Sequence, residues 1–194
     1  AGQLAGMSGE KQGRQYEYLQ QMSYDRFGQP VFMQYGNDAR TEYDFQPDRR
    51  RLGRLQVQLP AGILLDRRYE YDSAGNILGI DNAAPPLPGQ PGGAARHRYV
   101  YDELYRLIEA GGEWEGAAER RRYEWFMEYD QLNNPVLQSR AHFEDGAGEP
   151  AAAVLYDYRY DGGRPHVPSA VGERQYRYDA GGHQLGWQTD EAFR

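Results

Sequence analysis

The sequence has no cysteine, which excludes disulfides and cysteine-ligated zinc and leaves packing and hydrogen bonds to hold the fold. It also lacks any run approaching the about 18 apolar residues of a membrane span, and its opening, AGQLAGMSGEKQGRQ, has no apolar signal-peptide core. Apolar residues make up only 39% of the chain, low for a compact globule, so a conventional deep core is not expected. Unbalanced positive charge is missing as well. A net charge of -7 disfavours generic binding to nucleic acid or to an anionic membrane, and the basic runs DRRRLGR (48–54) and ERRRY (119–123) are flanked by acids and read as solvated faces. Histidine is scarce: His97, His142, His166 and His183 show no metal-ligand spacing. The serines sit in no nucleophile-elbow pattern, and no glycine-rich phosphate loop opens a helix. No metal or cofactor is expected.

What the chain does have is tyrosine, 17 against 6 phenylalanines, together with 24 glycines and 11 prolines. That mixture favours strands joined by many tight turns. One motif recurs seven times: YDRFGQP from Tyr24, YDFQPDRRRLG from Tyr43, YDSAGN from Tyr71, YDELYRL from Tyr101, YDQLNNP from Tyr129, YDGGRP from Tyr160 and YDAGGHQ from Tyr178. A period of about twenty to thirty residues is too short for a four-stranded propeller blade and predicts one β-hairpin per repeat. Tyr69 and Tyr71, Tyr99 and Tyr101, and Tyr176 and Tyr178 are each two apart, so each pair shares one face of a strand.

The aspartate that follows each tyrosine, Asp25, Asp44, Asp72, Asp102, Asp130, Asp161 and Asp179, is expected to open a type I turn by accepting backbone N–H bonds. Gly28, Gly75 and Gly182, three residues on, would take the left-handed position that closes the loop, with Asn133 as a tolerated substitute. On this reading Asp72 and Asn76 belong to a structural turn and do not ligate a metal or a substrate. The inserts at about 82–95 and 144–153 read as surface loops. DELYRLIEA (102–110) reads as turn plus strand despite helix-like apolar spacing.

The pattern YDxxGN, seen in full from Tyr71 to Asn76, resembles the YD repeat of Rhs proteins. The stretches YDRFGQPVFMQYGNDARTEYDFQPDRRRLGRLQV, YVYDELYRLIEAGGE and GGRPHVPSAVGERQYRYDAGGH resemble in particular the repeats in the B and C components of bacterial insecticidal toxin complexes. The resemblance implies an all-β architecture: tandem hairpins forming a curved, spiralling antiparallel sheet, part of a hollow shell that encloses a toxic C-terminal polypeptide until delivery from a bacterium. The implied partners are the rest of the shell, the enclosed toxin and a translocation or injection component, with no nucleic acid and no direct membrane insertion. The family's Asp-Pro-rich self-cleavage signature is absent, so residues 1–194 are expected to be one repeat-built segment of a larger shell.

Two other readings compete with a structural, non-enzymatic role. Glu113 and Glu115 around Trp114 could form a carboxylate pair for sugar hydrolysis, since strand alternation would put both acids on one face. YD-repeat shells also serve in adhesion, and Trp114, Trp125 and Trp187 are candidate platforms for sugars or proteins. The discriminating feature is the tyrosines: ladders packed between neighbouring strands make a wall, whereas tyrosines lining an open groove make a lectin-like surface.

Overall fold

The computed structural model describes residues 2–88, 93–115, 119–144, 146 and 148–189, and the backbone of 192–193. Among these residues there are strands and turns and no helix. Two compact units are present, Ala1–Arg98 with Gly112–Arg120 and Tyr99–Gly111 with Arg121–Arg194. The first contains β1 (Met7–Lys11), β2 (Arg14–Tyr24), β3 (Pro30–Tyr35), β4 (Arg40–Phe45), β5 (Leu52–Leu59), β6 (Gly62–Tyr71), β7 (Ile77–Asn82) and most of β8 (Ala94–Tyr101). Each pairs antiparallel with the next. β9 (Leu107–Glu115) contributes to both units. The second unit continues with β10 (Arg120–Tyr129), β11 (Pro135–Glu144), β12 (Ala152–Arg159), β13 (Ala170–Val171), β14 (Arg174–Tyr178), β15 (Gln184–Thr189) and β16 (Ala192–Phe193), again paired antiparallel in chain order. Most repeats are therefore hairpins, as their length predicts, and DELYRLIEA is turn plus strand.

Alternation decides which way side chains point. β8 and β12 read exposed, half-buried, exposed, half-buried along their lengths, the period-two signature of a sheet with two different faces. In the first unit the register sets Met22 against Met33, Tyr43 against Leu55, Val57 against Leu65 and Tyr69 against Ile80 on one face. On the other face Asp44 is set against Arg54, Gln56 against Asp66, and Asp81 against both Arg68 and Arg96. The aromatic face is half-buried rather than sealed. Among the described residues the buried hydrophobic side chains are Leu19, Ala39, Ala84, Phe143 and Ala170, and only the small Ala84 is essentially fully enclosed. Among the described residues there is no deep core, in keeping with the composition.

The YD turns join even-numbered to odd-numbered strands. The insertions lie on the other connections: β7 ends at Asn82 and β8 begins at Ala94, while β11 ends at Glu144 and β12 begins at Ala152. The physical reason is that a YD turn clamped by its own aspartate has a fixed length, whereas a surface connection outside that clamp can lengthen at small entropic cost.

Two aspartates depart from the turn-forming role. Asp44 lies inside β4, paired with Arg54, and the chain does not turn until Gln46, whose N–H donates to Arg51 O at 2.8 Å while Arg50 N–H donates to Gln46 O at 2.8 Å. Phe45 takes the place that tyrosine holds in other repeats, which shifts the turn two residues along and lengthens it. Asp161 opens no tight hairpin either. Its carboxylate accepts from the Ser169 hydroxyl across a longer loop between β12 and β13.

Candidate functional surface

The remaining aspartates hold their turns as the sequence predicts. Asp25 Oδ1 accepts the N–H groups of Phe27 and Gln29, both at 2.8 Å, and Gly28 N–H closes on Asp25 O at 3.1 Å. Asp102 accepts from Leu104 and Arg106, Asp130 from Leu132 and Asn134, and Asp72 from Gly75 and Asn76. Asp179 accepts from His183. Gly28, Gly75, Gly182 and Asn133 all have the positive φ expected of them, at 85°, 109°, 87° and 66°.

These bonds favour the charged carboxylates. Asp72 and Asp130 are held below the ordinary carboxylate range first by the side-chain amides of Asn76 and Asn134, and Asp179 first by the backbone N–H of His183. At Asp25 and Asp102 partial desolvation works upward, and the backbone N–H bonds outweigh it. Asn76 therefore completes the clamp on Asp72, its Nδ2 donating to Oδ2 at 2.7 Å, and Asn134 does the same for Asp130 at 2.8 Å.

One turn breaks the pattern. Tyr105 occupies the left-handed position after Asp102 with φ 62° and its ring exposed, although a bulky residue there costs about 1–2 kcal/mol. Tyr105→Gly is expected to raise stability by about 1 kcal/mol, read as a higher urea midpoint with an unchanged slope; a lower midpoint would show that the ring contributes packing that outweighs the strain.

The YD tyrosines have a role that sequence reasoning missed. Tyr71 donates its hydroxyl to Leu52 O at 2.9 Å, Tyr129 to Leu107 O at 3.1 Å and Tyr160 to Pro135 O at 3.0 Å. Leu52, Leu107 and Pro135 are each the first residue of the returning strand in the preceding repeat. Tyr24 and Tyr178 make the same kind of bond, to Leu4 O and Pro168 O at 3.0 Å each. Burial pushes the Tyr71, Tyr160 and Tyr178 hydroxyls upward, keeping them protonated donors.

An Arg-Leu dipeptide completes this grip in two repeats. Arg51 lies 5.3 Å from the Tyr71 ring centre and donates to Asp72 O at 2.9 Å; Arg106 lies 4.7 Å from the Tyr129 ring centre and donates to Asp130 O at 3.3 Å. The only sequence trace of this is the RL pair about twenty residues before the next YD. Tyr71→Phe is expected to cost about 1 kcal/mol in urea unfolding, the ordinary value of one such bond. No loss would mean that the hydroxyl merely exchanges one acceptor for water.

Other predicted residues fall in place less centrally. Tyr43 faces Leu55 on the aromatic face, and Tyr101 ends β8. The stacked pairs Tyr69–Tyr71 and Tyr176–Tyr178 have ring centres 6.5 and 6.4 Å apart. Tyr71 and Tyr178 are thus each stacked on a tyrosine of their own strand and bonded to backbone outside it. Of the tryptophans, Trp187 is covered by the Arg174 guanidinium 4.5 Å from its ring centre, Trp125 is half-buried opposite Arg140, and Trp114 lines a groove together with Glu113 and Glu115. No group of three or more metal-ligating residues is found among the described residues.

Comparison with known proteins adds relatives to this geometry. No protein-family profile matches the chain. Toxin subunit YenC1 of Yersinia entomophaga is 30% identical over 110 residues, covering 53% of this chain and 11% of that protein. Toxin subunit YenC2 of the same organism is 32% identical over 121 residues, covering 58% and 12%. Over little more than half its length the chain is similar to toxin subunits. The crystal structure of TcdB2-TccC3 shares its fold over 96% of this chain and 11% of that one, with a TM-score of 0.75 and 21% identity. A structure of the Photorhabdus luminescens Tc holotoxin pore matches over 96% and 10%, with a TM-score of 0.71 and 21% identity. The YD-repeat resemblance and the all-β class read from the sequence are therefore borne out, and this YD-repeat chain spans only about a tenth of the length of the relatives it matches.

Proposed function

We propose that this chain is a wall segment of a toxin-encapsulating shell, structural rather than enzymatic, in a longer polypeptide delivered from a bacterium. The observation that carries this reading is the bond from the YD tyrosines Tyr71, Tyr129 and Tyr160 to the preceding repeat. Tyr71 to Leu52, Tyr129 to Leu107 and Tyr160 to Pro135 each make one repeat a structural support for the next, which is what a thin wall without a deep core requires. A lectin-like surface would leave those hydroxyls for ligand; here they bond neighbouring backbone.

The partners under this reading are the remaining repeats of the shell, an enclosed toxic polypeptide and a delivery component. Enzymatic hydrolysis finds no support in the pairing of the candidate acids: Arg96 lies 3.6 Å from Glu113, and Arg120 lies 3.8 Å from Glu115. Limited proteolysis of the full-length polypeptide, followed by mass spectrometry, tests containment. A C-terminal segment that is cut free yet stays protected until denaturation is the expected result. A segment that dissociates or is digested at once in the native protein would overturn it.

A further inference from the structure

We propose that the segment from Ala84 to Pro88 is a docking site for a proline-binding protein domain, one whose groove is formed by tyrosine and tryptophan side chains. The sequence there is APPLP. Proline fixes its own φ at about −65° and drives the residue before it out of the α region. Ala84, Pro85 and Leu87 each precede a proline, so all three are confined to extended backbone, and residues 83–87 carry neither helix nor strand nor turn. Consecutive extended residues with φ set by proline form polyproline II, a left-handed helix of about three residues per turn.

Burial along the segment follows that period. Ala84 is 1% exposed, Pro85 and Pro86 are exposed, Leu87 is half-buried and Pro88 is exposed again. Ala84 and Leu87, three apart, therefore share the edge that faces the sheet. Leu87 is seated over Gly62 at the start of β6, with its Cδ2 2.9 Å from where a Cβ on that glycine would stand. Pro85 and Pro88 share a second edge and Pro86 lies on the third, so both remaining edges face solvent. All of these residues belong to the first compact unit.

The segment is held at its base. Asn82 Oδ1 accepts the N–H groups of Asp66 at 2.8 Å and Ala84 at 3.4 Å, and Asn82 Nδ2 donates to Gly93 O at 2.7 Å. Ala83 N–H donates to Asp66 O at 2.9 Å. Anchored in this way and stiffened by proline, the segment has little conformational freedom left to lose on binding. Its prolines have no N–H, so they offer a partner only ring surface and carbonyl acceptors. A groove of tyrosine and tryptophan supplies the counterpart, flat apolar walls with hydroxyl and indole N–H donors. Residues 83–95 contain no charged side chain. They offer nothing to an acidic pocket beside a proline groove, such as SH3 domains carry, and suit the uncharged groove of a WW domain.

Fluorescence anisotropy of a labelled WW domain that recognises Pro-Pro-Leu-Pro, titrated with the full-length polypeptide, tests the proposal, with a labelled SH3 domain as the comparison probe. Saturable binding of the WW domain is expected, weakened about tenfold or more by Pro85→Ala and by Pro86→Ala and unchanged by Pro150→Ala in the other insert. Both prolines lie on solvent-facing edges, so the variants should fold, and thermal melts check that they do. No saturable binding, equal binding in either folded variant, or tighter binding of the SH3 domain would overturn it. None of these outcomes bears on containment, which the proteolysis experiment reads independently.

Discussion

Gly36→Ala is expected to destabilise the chain by about 3 kcal/mol or more, the largest loss expected from a methyl group added at any of the described glycines. Gly36 lies in the turn between β3 and β4, and its N–H donates to Tyr18 O at 3.2 Å across β2. A Cβ built on Gly36 would overlap the carbonyl oxygen of Glu17 and lie 2.7 Å from the Glu17 carbonyl carbon. Both are backbone atoms, so no rotamer change relieves the clash. Either β2 shifts away and the bond to Tyr18 breaks, or the turn refolds. The register of β2 already slips between Leu19 and Gln21, so the first half of β2 is the part expected to detach. Gly111→Ala is the control: the nearest atom to its Cβ would be Tyr123 O at 3.7 Å, and stability should hold or rise slightly. Urea unfolding of both variants reads the difference, and equal midpoints would show that Gly36 is not pressed against β2.

Acidification is expected to produce the second large effect, a steep loss of stability below about pH 4. Asp25, Asp72, Asp102, Asp130 and Asp179 all have folded-state values below the ordinary one. A carboxylate whose folded value is depressed contributes stability that is present above its unfolded value and is lost as pH falls through the folded one. Asp66 and Asp81 act in the same direction, held down first by the Arg54 and Arg98 side chains respectively. His97 adds a shallower loss that begins near its ordinary 6.5, because burial first, and then Arg67, keeps its folded value lower. Thermal melts between pH 7 and 2.5 should therefore show a gentle decline and then a sharp one. Asp72→Asn should flatten part of the sharp limb, because an amide cannot lose a charge there. A melting temperature constant down to pH 3 would show that the turns do not depend on ionised aspartate.

Much of this architecture was legible in the sequence by itself. The strand parity of paired tyrosines, the spacing of seven YD motifs and the glycine or asparagine three residues after the aspartate determined hairpins, turn type and all-β class. Those are local quantities, fixed within four or five residues by φ/ψ preference and by the reach of an aspartate side chain. Even the left-handed Asn133 was predictable from its offset.

Tertiary structure decided the rest, because it depends on which residues meet across strands. Asp44 carries the motif yet lies in a strand, since Phe45 fills the tyrosine position and Gln46 starts the turn two residues later. Nothing local to Tyr71 says that its hydroxyl reaches Leu52, 19 residues back, because that acceptor is brought near by the pairing of β5 with β6 and β6 with β7. The bidentate Arg54–Asp66 pair at 2.6 and 2.9 Å and the groove around Trp114 arise the same way. Sequence periodicity determined the repeated hairpin, while long-range strand registry alone decided which side chains of one repeat hold, or leave open, the surface of the next.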